Sequence, residues 1–368
     1  MRVLILSANT GGGHNSTAKA LADQFERLGM EYEIADTLAF ISETVSDFIS
    51  WGHSYVYRKM PRLFGIGYRF EEKHTPRFMY EQCGKGAEAL CQKITEGGFD
   101  ILLCVHVFSG LMVTEMRERF HLMTPAYFVA TDYTSSPGVS EMKLDGYFVP
   151  HRMLFGEFVR SGIKADKMFA TGIPIGEAFY RQIEKTEARR SLGLPEDRRI
   201  VLLSCGSMGC GRLDKNALMI ARHLPNDAML VVLCGKNEKI YEELSPLETD
   251  KMKVLGFNDR VAEYMSAADL YITKPGGLTT SESIAKRLPM ILIEAVPGLE
   301  TRNYDFLIQN GVASGTKSWR QVSVLVQKML KTSALSEKQI ESMKRFTAHN
   351  AAEAICRQVS NDFTKRNS

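Results

Sequence analysis

Lys274-Pro275-Gly276-Gly277-Leu278-Thr279-Thr280-Ser281-Glu282 sets two glycines and a run of hydroxyl side chains where an apolar strand, Leu270 to Thr273, turns into a helix. A helix N-terminus exposes unpaired N–H groups and the positive end of the helix dipole, and glycine lets a diphosphate approach them. The local residues leave two readings open. In one, the amides near Leu278 and Thr279 and the Thr280 hydroxyl hold phosphate oxygens while Glu282 accepts from ribose hydroxyls. In the other, the stretch is a capping box with Thr279 or Ser281 as N-cap and Glu282 completing it. A second glycine-rich turn, Thr10-Gly11-Gly12-Gly13-His14, follows the strand Arg2 to Ala8. One such turn in each half predicts two nucleotide-type domains facing each other.

Both halves alternate short apolar runs with helical patterns. The first reads as strand Arg2 to Ala8, helix Ser16 to Leu28, then strands Tyr32 to Ala35, Ile101 to His106, Ala126 to Ala130, Gly146 to Val149 and Met168 to Thr171. The second reads as strands Ile200 to Ser204, Met229 to Leu233, Lys253 to Leu255, Leu270 to Thr273 and Met290 to Ile293, with helices between most of them. Continuous apolar strands alternating with helices predict α/β domains with doubly wound parallel sheets. Gly172-Ile173-Pro174-Ile175-Gly176 is the natural connection, giving domains over 1–172 and 173–344. A last helix, about Ser336 to Phe363, has Ile340, Met343, Phe346, Ile355 and Val359 at helical spacing, and residues 345–368 are expected to cross back onto the first domain.

At 368 residues, 44% hydrophobic, the chain is long enough for two cores. A net charge of +3 is too mild to argue for nucleic acid as the main partner. The seven cysteines are scattered without a C-x-x-C pair, which fits a reducing cytoplasm. No apolar run approaches a membrane span, so the expected location is the cytoplasm, soluble or peripheral on a membrane. The stretch from Phe48 to Tyr80 breaks the alternation by interleaving aromatic with basic residues, among them Trp51, Arg58, Lys59, Arg62 and Phe64. Such a segment suits the headgroup layer of an anionic membrane, and equally suits an amphipathic helix pair closing the core.

The remaining polar positions are weaker when taken one at a time. Gly11-Gly12-Gly13-His14 is neither a dinucleotide fingerprint nor a P-loop; it either brings amides near an anion with His14 beside them, or allows close packing with His14 as a cap. Asp132 stands just past the carboxyl end of a strand, where parallel sheets bind ligands and where turn caps also occur. Gly206 and Ser207, in Ser204-Cys205-Gly206-Ser207-Met208-Gly209-Cys210-Gly211, can approach a diphosphate or sugar, or form a plain flexible loop. Cys205 and Cys210 have poor zinc spacing, and no metal site is expected.

Taken together, Thr10-Gly11-Gly12-Gly13-His14, Thr131-Asp132-Tyr133, Thr171-Gly172-Ile173-Pro174-Ile175, Leu255-Gly256-Phe257 and Lys274-Pro275-Gly276-Gly277-Leu278-Thr279 follow an order and spacing over nearly the whole chain. In this the chain resembles the monogalactosyldiacylglycerol synthase and processive diacylglycerol glucosyltransferase family. The wider group, which includes the N-acetylglucosaminyltransferase of lipid II synthesis, has the two-domain GT-B fold. The resemblance implies inverting transfer of a hexose from a UDP-sugar, without a bound metal or other cofactor, to a membrane lipid such as diacylglycerol or a glycosyldiacylglycerol. It also implies work at the inner face of the cell membrane.

Carried over by position, it implies that Gly256 and Phe257 line the uracil site, Glu282 holds the ribose, and Gly277, Leu278 and Thr279 contact the diphosphate. Pro297-Gly298-Leu299-Glu300 and Asn303 match the segment that reads the donor sugar, His14 and Asp132 match polar residues of the acceptor side, and the basic aromatic insertion matches the membrane-facing region. Of His14 and Asp132, an imidazole is the better general base near neutral pH. The chain departs from the family pattern at Ser136 and Val139, where a His and a Trp are usual, at Leu299 in place of Gln, and at Gly176 in place of Arg. Those departures bear on the sugar and the acceptor, and keep in view a polyprenyl-linked acceptor, a UDP-sugar epimerase and a non-catalytic UDP-sugar-binding protein.

Overall fold

The computed structural model describes residues 1–9, 12–42, 81, 84–206, 209, 211–316, 318–346 and 349–367. The expected membrane-facing residues Trp51, Arg58, Lys59, Arg62 and Phe64 lie outside the described residues, as do Gly11 and Ser207. The chain divides into two units, one of Met1–Gly176, Pro297–Leu299 and His349–Ser368, the other of Glu177–Val296 and Glu300–Ala348.

In the first unit, strands β1 (Arg2–Ser7), β2 (Glu31–Asp36), β3 (Ile101–Cys104), β4 (Ala126–Val129), β5 (Gly146–Val149) and β6 (Met168–Ala170) form one sheet in the order β2-β1-β3-β4-β5-β6. Every pairing is parallel. Helices α1 (Gly12–Arg27), α2 (Ala87–Gly97), α3 (Val107–Phe120) and α4 (Phe155–Arg160) accompany it. The runs ILLC, AYFV and GYFV of β3 to β5 are buried at every residue, as a sheet covered on both faces requires. Helix α1 begins earlier than the expected Ser16, taking Gly12, Gly13 and His14 into its first turn.

In the second unit, β7 (Arg199–Ser204), β8 (Ala228–Leu233), β9 (Met252–Leu255), β10 (Leu270–Thr273), β11 (Met290–Leu292) and β12 (Ser314–Gly315) are ordered β12-β11-β10-β7-β8-β9, again all parallel. The helices in chain order are α5 (Lys185–Leu192), α6 (Leu213–His223), α7 (Glu238–Leu244), α8 (Val261–Ala267), α9 (Gly277–Ala285), α10 (Leu299–Gln309), α11 (Val322–Lys331) and α12 (Ala334–Phe346). Val201, Leu203, Leu230, Val232, Ile272 and Ile291 of the sheet pack with Leu213, Ala217 and Ile220 of α6 and Val322, Val326 and Met329 of α11. At the amino edge, Asp269 accepts from Ile200 N at 2.7 Å and from Arg189 and Lys185 at 2.6 Å each, tying α5 to the strand ends.

The single helix expected over Ser336–Phe363 is in fact two, α12 and α13 (Ala351–Asn367). Asn350 starts the second: its Oδ1 accepts from Ala352 N at 3.0 Å, an N-cap that helical spacing of apolar residues does not register. Ala352, Ile355, Cys356 and Val359 of α13 join Val3, Ile5, Leu21 and Phe25 in the core of the first unit. Arg366 adds an ion pair to Asp145 at 2.9 Å, and Asp362 accepts from the Tyr127 hydroxyl at 3.0 Å.

Both sheets begin near their middle. The chain leaves β1 for β2 and then returns across β1 to β3; it leaves β7 for β8 and β9 and then returns to β10. Connections that depart in opposite directions open a crevice at the carboxyl ends of the two strands involved, the place where open α/β sheets bind ligands. The first unit has that crevice at β1 and β3, the second at β7 and β10.

Candidate functional site

The turn Lys274-Pro275-Gly276 leaves β10 at the crevice of the second unit and enters α9. Its N-cap is Gly276, with extended backbone and no side-chain cap, so the amides of Gly277, Leu278 and Thr279 are the orphan donors of the first helical turn. A Cβ on Gly276 would meet nothing within 4 Å, so the approach to those amides is open. The capping-box reading is thereby corrected: neither Thr279 nor Ser281 caps the helix. The Thr280 hydroxyl is not a phosphate ligand either, because the side chain is fully buried and donates to Gly276 O at 2.8 Å. Ser281 likewise donates to Gly277 O at 2.7 Å.

Glu300 and Asn303, expected to read the donor sugar, brace the turn. Glu300 Oε1 lies 3.2 Å from Lys274 Nζ, both side chains nearly buried, and Oε2 accepts from Val296 N at 2.8 Å. Asn303, wholly buried, donates from Nδ2 to Pro275 O at 2.9 Å. Glu282 is one turn into α9, and burial pushes its carboxyl up to about 7. Such a carboxylate favours ligands that donate hydrogen bonds to it.

At the carboxyl ends of β8 and β9, Phe257 is 65% exposed and its ring lies 5.7 Å from Lys236 Nζ. Gly256 precedes it. An uncovered aromatic face there suits stacking on a planar base. The β7 loop is shaped by glycine: Gly206 has a φ of +75° with open space beside it, and Gly209, φ +54°, is packed so closely that a Cβ would lie 2.2 Å from Cys234 O. Glu294, just past β11, holds a φ of +52°, and a Cβ on Gly211 of the β7 loop would lie 3.6 Å from its Cβ. Glutamate rarely adopts that backbone, and nothing in its local sequence announced the strain.

In the first unit, His14 stands in the first turn of α1 at the β1 and β3 crevice. Its Nδ1 is 2.8 Å from Val105 O, which can only accept, so Nδ1 carries the proton and the neutral ring has its lone pair on Nε2. Thr131 Oγ1, past β4, is 3.3 Å from the same nitrogen. Half-buried Asp132 follows directly. The loop after β4 is fixed by Glu157 of α4, which accepts from Thr134 Oγ1 at 2.5 Å and Ser135 N at 2.8 Å. Val139 is fully buried, so this departure from the family pattern fills the core and does not face an acceptor. His106, absent from the sequence expectations, caps α3 and meets the His14 ring edge to face at 4.5 Å between centroids.

A cavity of about 440 Å³ lined by Lys185, Arg199, Asp269, Lys286 and Arg287 opens at the amino edge of the second sheet, away from the α9 turn at its carboxyl edge. Volume alone does not mark the site.

A family model described as monogalactosyldiacylglycerol (MGDG) synthase matches residues 14–175, and one described as the glycosyltransferase family 28 C-terminal domain matches residues 200–358. The processive diacylglycerol beta-glucosyltransferase of Bacillus subtilis (strain 168) is 28% identical, covering 97% of this chain and 94% of its own. That of Bacillus pumilus (strain SAFR-032) is 29% identical over 94% and 89%. Among solved structures, Acinetobacter baumannii MurG superposes with a TM-score of 0.67 at 16% identity over 98% and 99% of the two chains. S. aureus MnaA with UDP gives 0.66 at 15% over 99% and 97%. At such identities the structural likenesses speak for the fold, which is of GT-B type. Matched along both units by the two models, the chain belongs to the monogalactosyldiacylglycerol synthase family of glycosyltransferases and is a hexosyltransferase.

Proposed function

We propose that the chain transfers a hexose from a UDP-sugar to the hydroxyl of a diacylglycerol-type lipid, with inversion and without a bound metal. The observation that carries this is the uncapped first turn of α9 at the sheet's switch point, whose free amides and open glycine approach match a nucleoside diphosphate. The names of the relatives, diacylglycerol glucosyltransferases, support the lipid acceptor, and the UDP bound to the structural neighbour supports the donor.

In the reaction, the acceptor hydroxyl gives its proton to His14 Nε2 as its oxygen bonds to the anomeric carbon. The bond from that carbon to the diphosphate oxygen breaks, and UDP leaves with the electron pair. Amides aimed at the leaving oxygens stabilise the growing charge, the task a cation performs in other transferases. Phe257 stacks on uracil and Glu282 accepts from the ribose. With Glu300 and Asn303 engaged in the fold and Leu299 unable to hydrogen-bond, the sugar is read by main-chain groups and Glu294.

Among the described residues no helix is long and apolar enough to cross a membrane. A lipid acceptor then requires a peripheral approach to the bilayer, for which the basic aromatic stretch from Phe48 to Tyr80 has the composition.

The test is UDP release from a panel of UDP-sugars with and without diacylglycerol vesicles, followed by mass analysis of the lipids. Lipid-dependent release with a glycosylated product is expected. A changed sugar without net UDP would identify an epimerase, binding alone a sensor, and no heat on titration with UDP would overturn the donor site itself.

A further inference from the structure

The cavity at the amino edge of the second sheet lies wholly within the second unit, at the far end of α9 from the diphosphate turn. Its walls carry four cations, Lys185, Arg199, Lys286 and Arg287, against two carboxylates, Asp269 and Glu337. Part of this charge is already matched. Asp269 gives one oxygen to Lys185 and the other to Arg189, each at 2.6 Å, and Arg199 holds Asp227 at 2.6 Å. Lys286 and Arg287 have no carboxylate partner among the described residues. The buried Lys286 ammonium donates to the Arg181 carbonyl, and burial pulls its pKa down against the opposing charge of Glu263.

Arg287 ends α9 in a left-handed conformation, with a φ of +52°. Its N–H bonds to Ile284 O at 3.0 Å and that of Leu288 to Ser283 O at 2.9 Å, the two bonds of a Schellman motif. Glycine is the residue that fits such a position without strain. The chain places there an exposed arginine whose guanidinium bonds to none of the described residues. The first turn of α12 adds Ser333, Ser336 and Glu337 to the walls, and their side chains are equally without partners among the described residues. A volume of about 440 Å³ is enough for a small molecule. No aromatic side chain is among the described residues that line it, so nothing there suits a nucleobase.

We propose that this cavity binds a small phosphate monoester that also carries hydroxyl groups, the phosphate held by Arg287 and Lys286 and the hydroxyls by Glu337, Ser333 and Ser336. The planar fork of an arginine matches two phosphate oxygens at once, and the two negative charges of a monoester equal the two unmatched cations. A single carboxylate would leave one of them over. Glu337 can only accept when ionised, so it calls for a donor on the same ligand. A free glycerol or sugar phosphate and the headgroup of a phosphomonoester lipid share this chemistry. The site stands apart from the donor turn and does not depend on the transfer reaction proposed above.

The test is calorimetric titration of the full chain, without UDP and in excess UDP, with glycerol phosphate, inorganic phosphate, and phosphatidylcholine vesicles with and without a phosphomonoester lipid. Saturable binding of glycerol phosphate is expected in both conditions. Arg287→Gly should weaken it at least tenfold at an equal or higher Tm, because glycine relieves the backbone while the guanidinium is lost. Glu337→Leu should lower the preference for glycerol phosphate over inorganic phosphate several-fold, and an unchanged preference would overturn the hydroxyl assignment. Binding only to vesicles with the phosphomonoester lipid, lost in Arg287→Gly, would assign the site to a headgroup. The inference falls if no probe binds saturably, if Arg287→Gly stays within twofold of the unaltered chain, or if excess UDP abolishes the heat and so places the ester in the α9 turn.

Discussion

The Lys274 ammonium lies 3.2 Å from the Glu300 carboxylate, so a buried ion pair ties the turn after β10 to helix α10. Glu300 also receives Val296 N, so removing it takes one partner from a buried cation and the acceptor from an amide. Glu300→Ala should lower stability by about 3–5 kcal/mol and weaken UDP binding with it, as measured by urea unfolding and calorimetry. Lys274→Met with Glu300→Leu should be less damaging than Glu300→Ala alone, since the buried cation leaves together with its carboxylate. A double variant as unstable as the single one would show that packing, and not charge, holds the turn.

Glu282 makes stability depend on pH. Its carboxyl is raised by burial from the usual value of 4.5 to about 7, so the folded chain holds a proton that the unfolded chain has released. The resulting stabilisation is complete below about pH 4.5 and is lost as pH rises through about 7. Glu282→Gln should therefore have a Tm close to that of the unaltered chain at pH 4.5 and a higher one at pH 8. Ribose hydroxyls favour the charged form, so UDP binding at pH 6.5 should release more protons in the unaltered chain than in the variant. Calorimetry in buffers of different ionisation enthalpy reads this directly; equal proton counts would remove Glu282 from the ribose site.

The parallel α/β architecture was legible because buried strands such as ILLC and AYFV are apolar at every position, and the crevices follow from strand order once such strands exist. The glycine turns were legible too, since glycine and a following helix are local signals. What each polar residue does was not. Glu300 and Asn303 stand where a sugar contact is expected, but their partners Lys274 and Pro275 are set by tertiary packing. Thr280 differs from a phosphate ligand in being wholly buried, with its hydroxyl turned back onto Gly276 O. His106 escaped notice because Val105-His106-Val107-Phe108 carries no glycine and no acid; only the return of β3 beside β1 puts it against His14. The break before α13 did leave a trace, Asn350 with Glu353 three residues on, which apolar spacing overrode.

Two glycines of the second unit should respond oppositely to alanine. Gly209 has a φ of +54° and no room, a Cβ falling 2.2 Å from Cys234 O, so Gly209→Ala should cost several kcal/mol or prevent folding. Gly276 has a φ of −75° and empty space beside it. Gly276→Ala should keep stability within about 1 kcal/mol and weaken UDP binding at least tenfold, because the new methyl stands in the path to the α9 amides. Thermal melts and UDP titrations separate the two, and unimpaired UDP binding by Gly276→Ala would place the diphosphate elsewhere.

His14 Nδ1 lies 2.8 Å from Val105 O and 3.3 Å from Thr131 Oγ1, which fixes the tautomer with the lone pair on Nε2. In the proposed reaction, a ring held in that way takes the hydroxyl proton at Nε2. On that reading, removing it takes away proton transfer and leaves the donor half, which lies in the other unit, intact. His14→Ala should lower kcat by about 10²- to 10⁴-fold with UDP affinity nearly unchanged. Thr131→Val keeps the shape beside the ring and the Val105 bond, so it should lower kcat by less than tenfold. Should His14→Ala turn over at the unaltered rate, the proton goes to another group, and Asp132, next to Thr131 on the same loop, becomes the base to test.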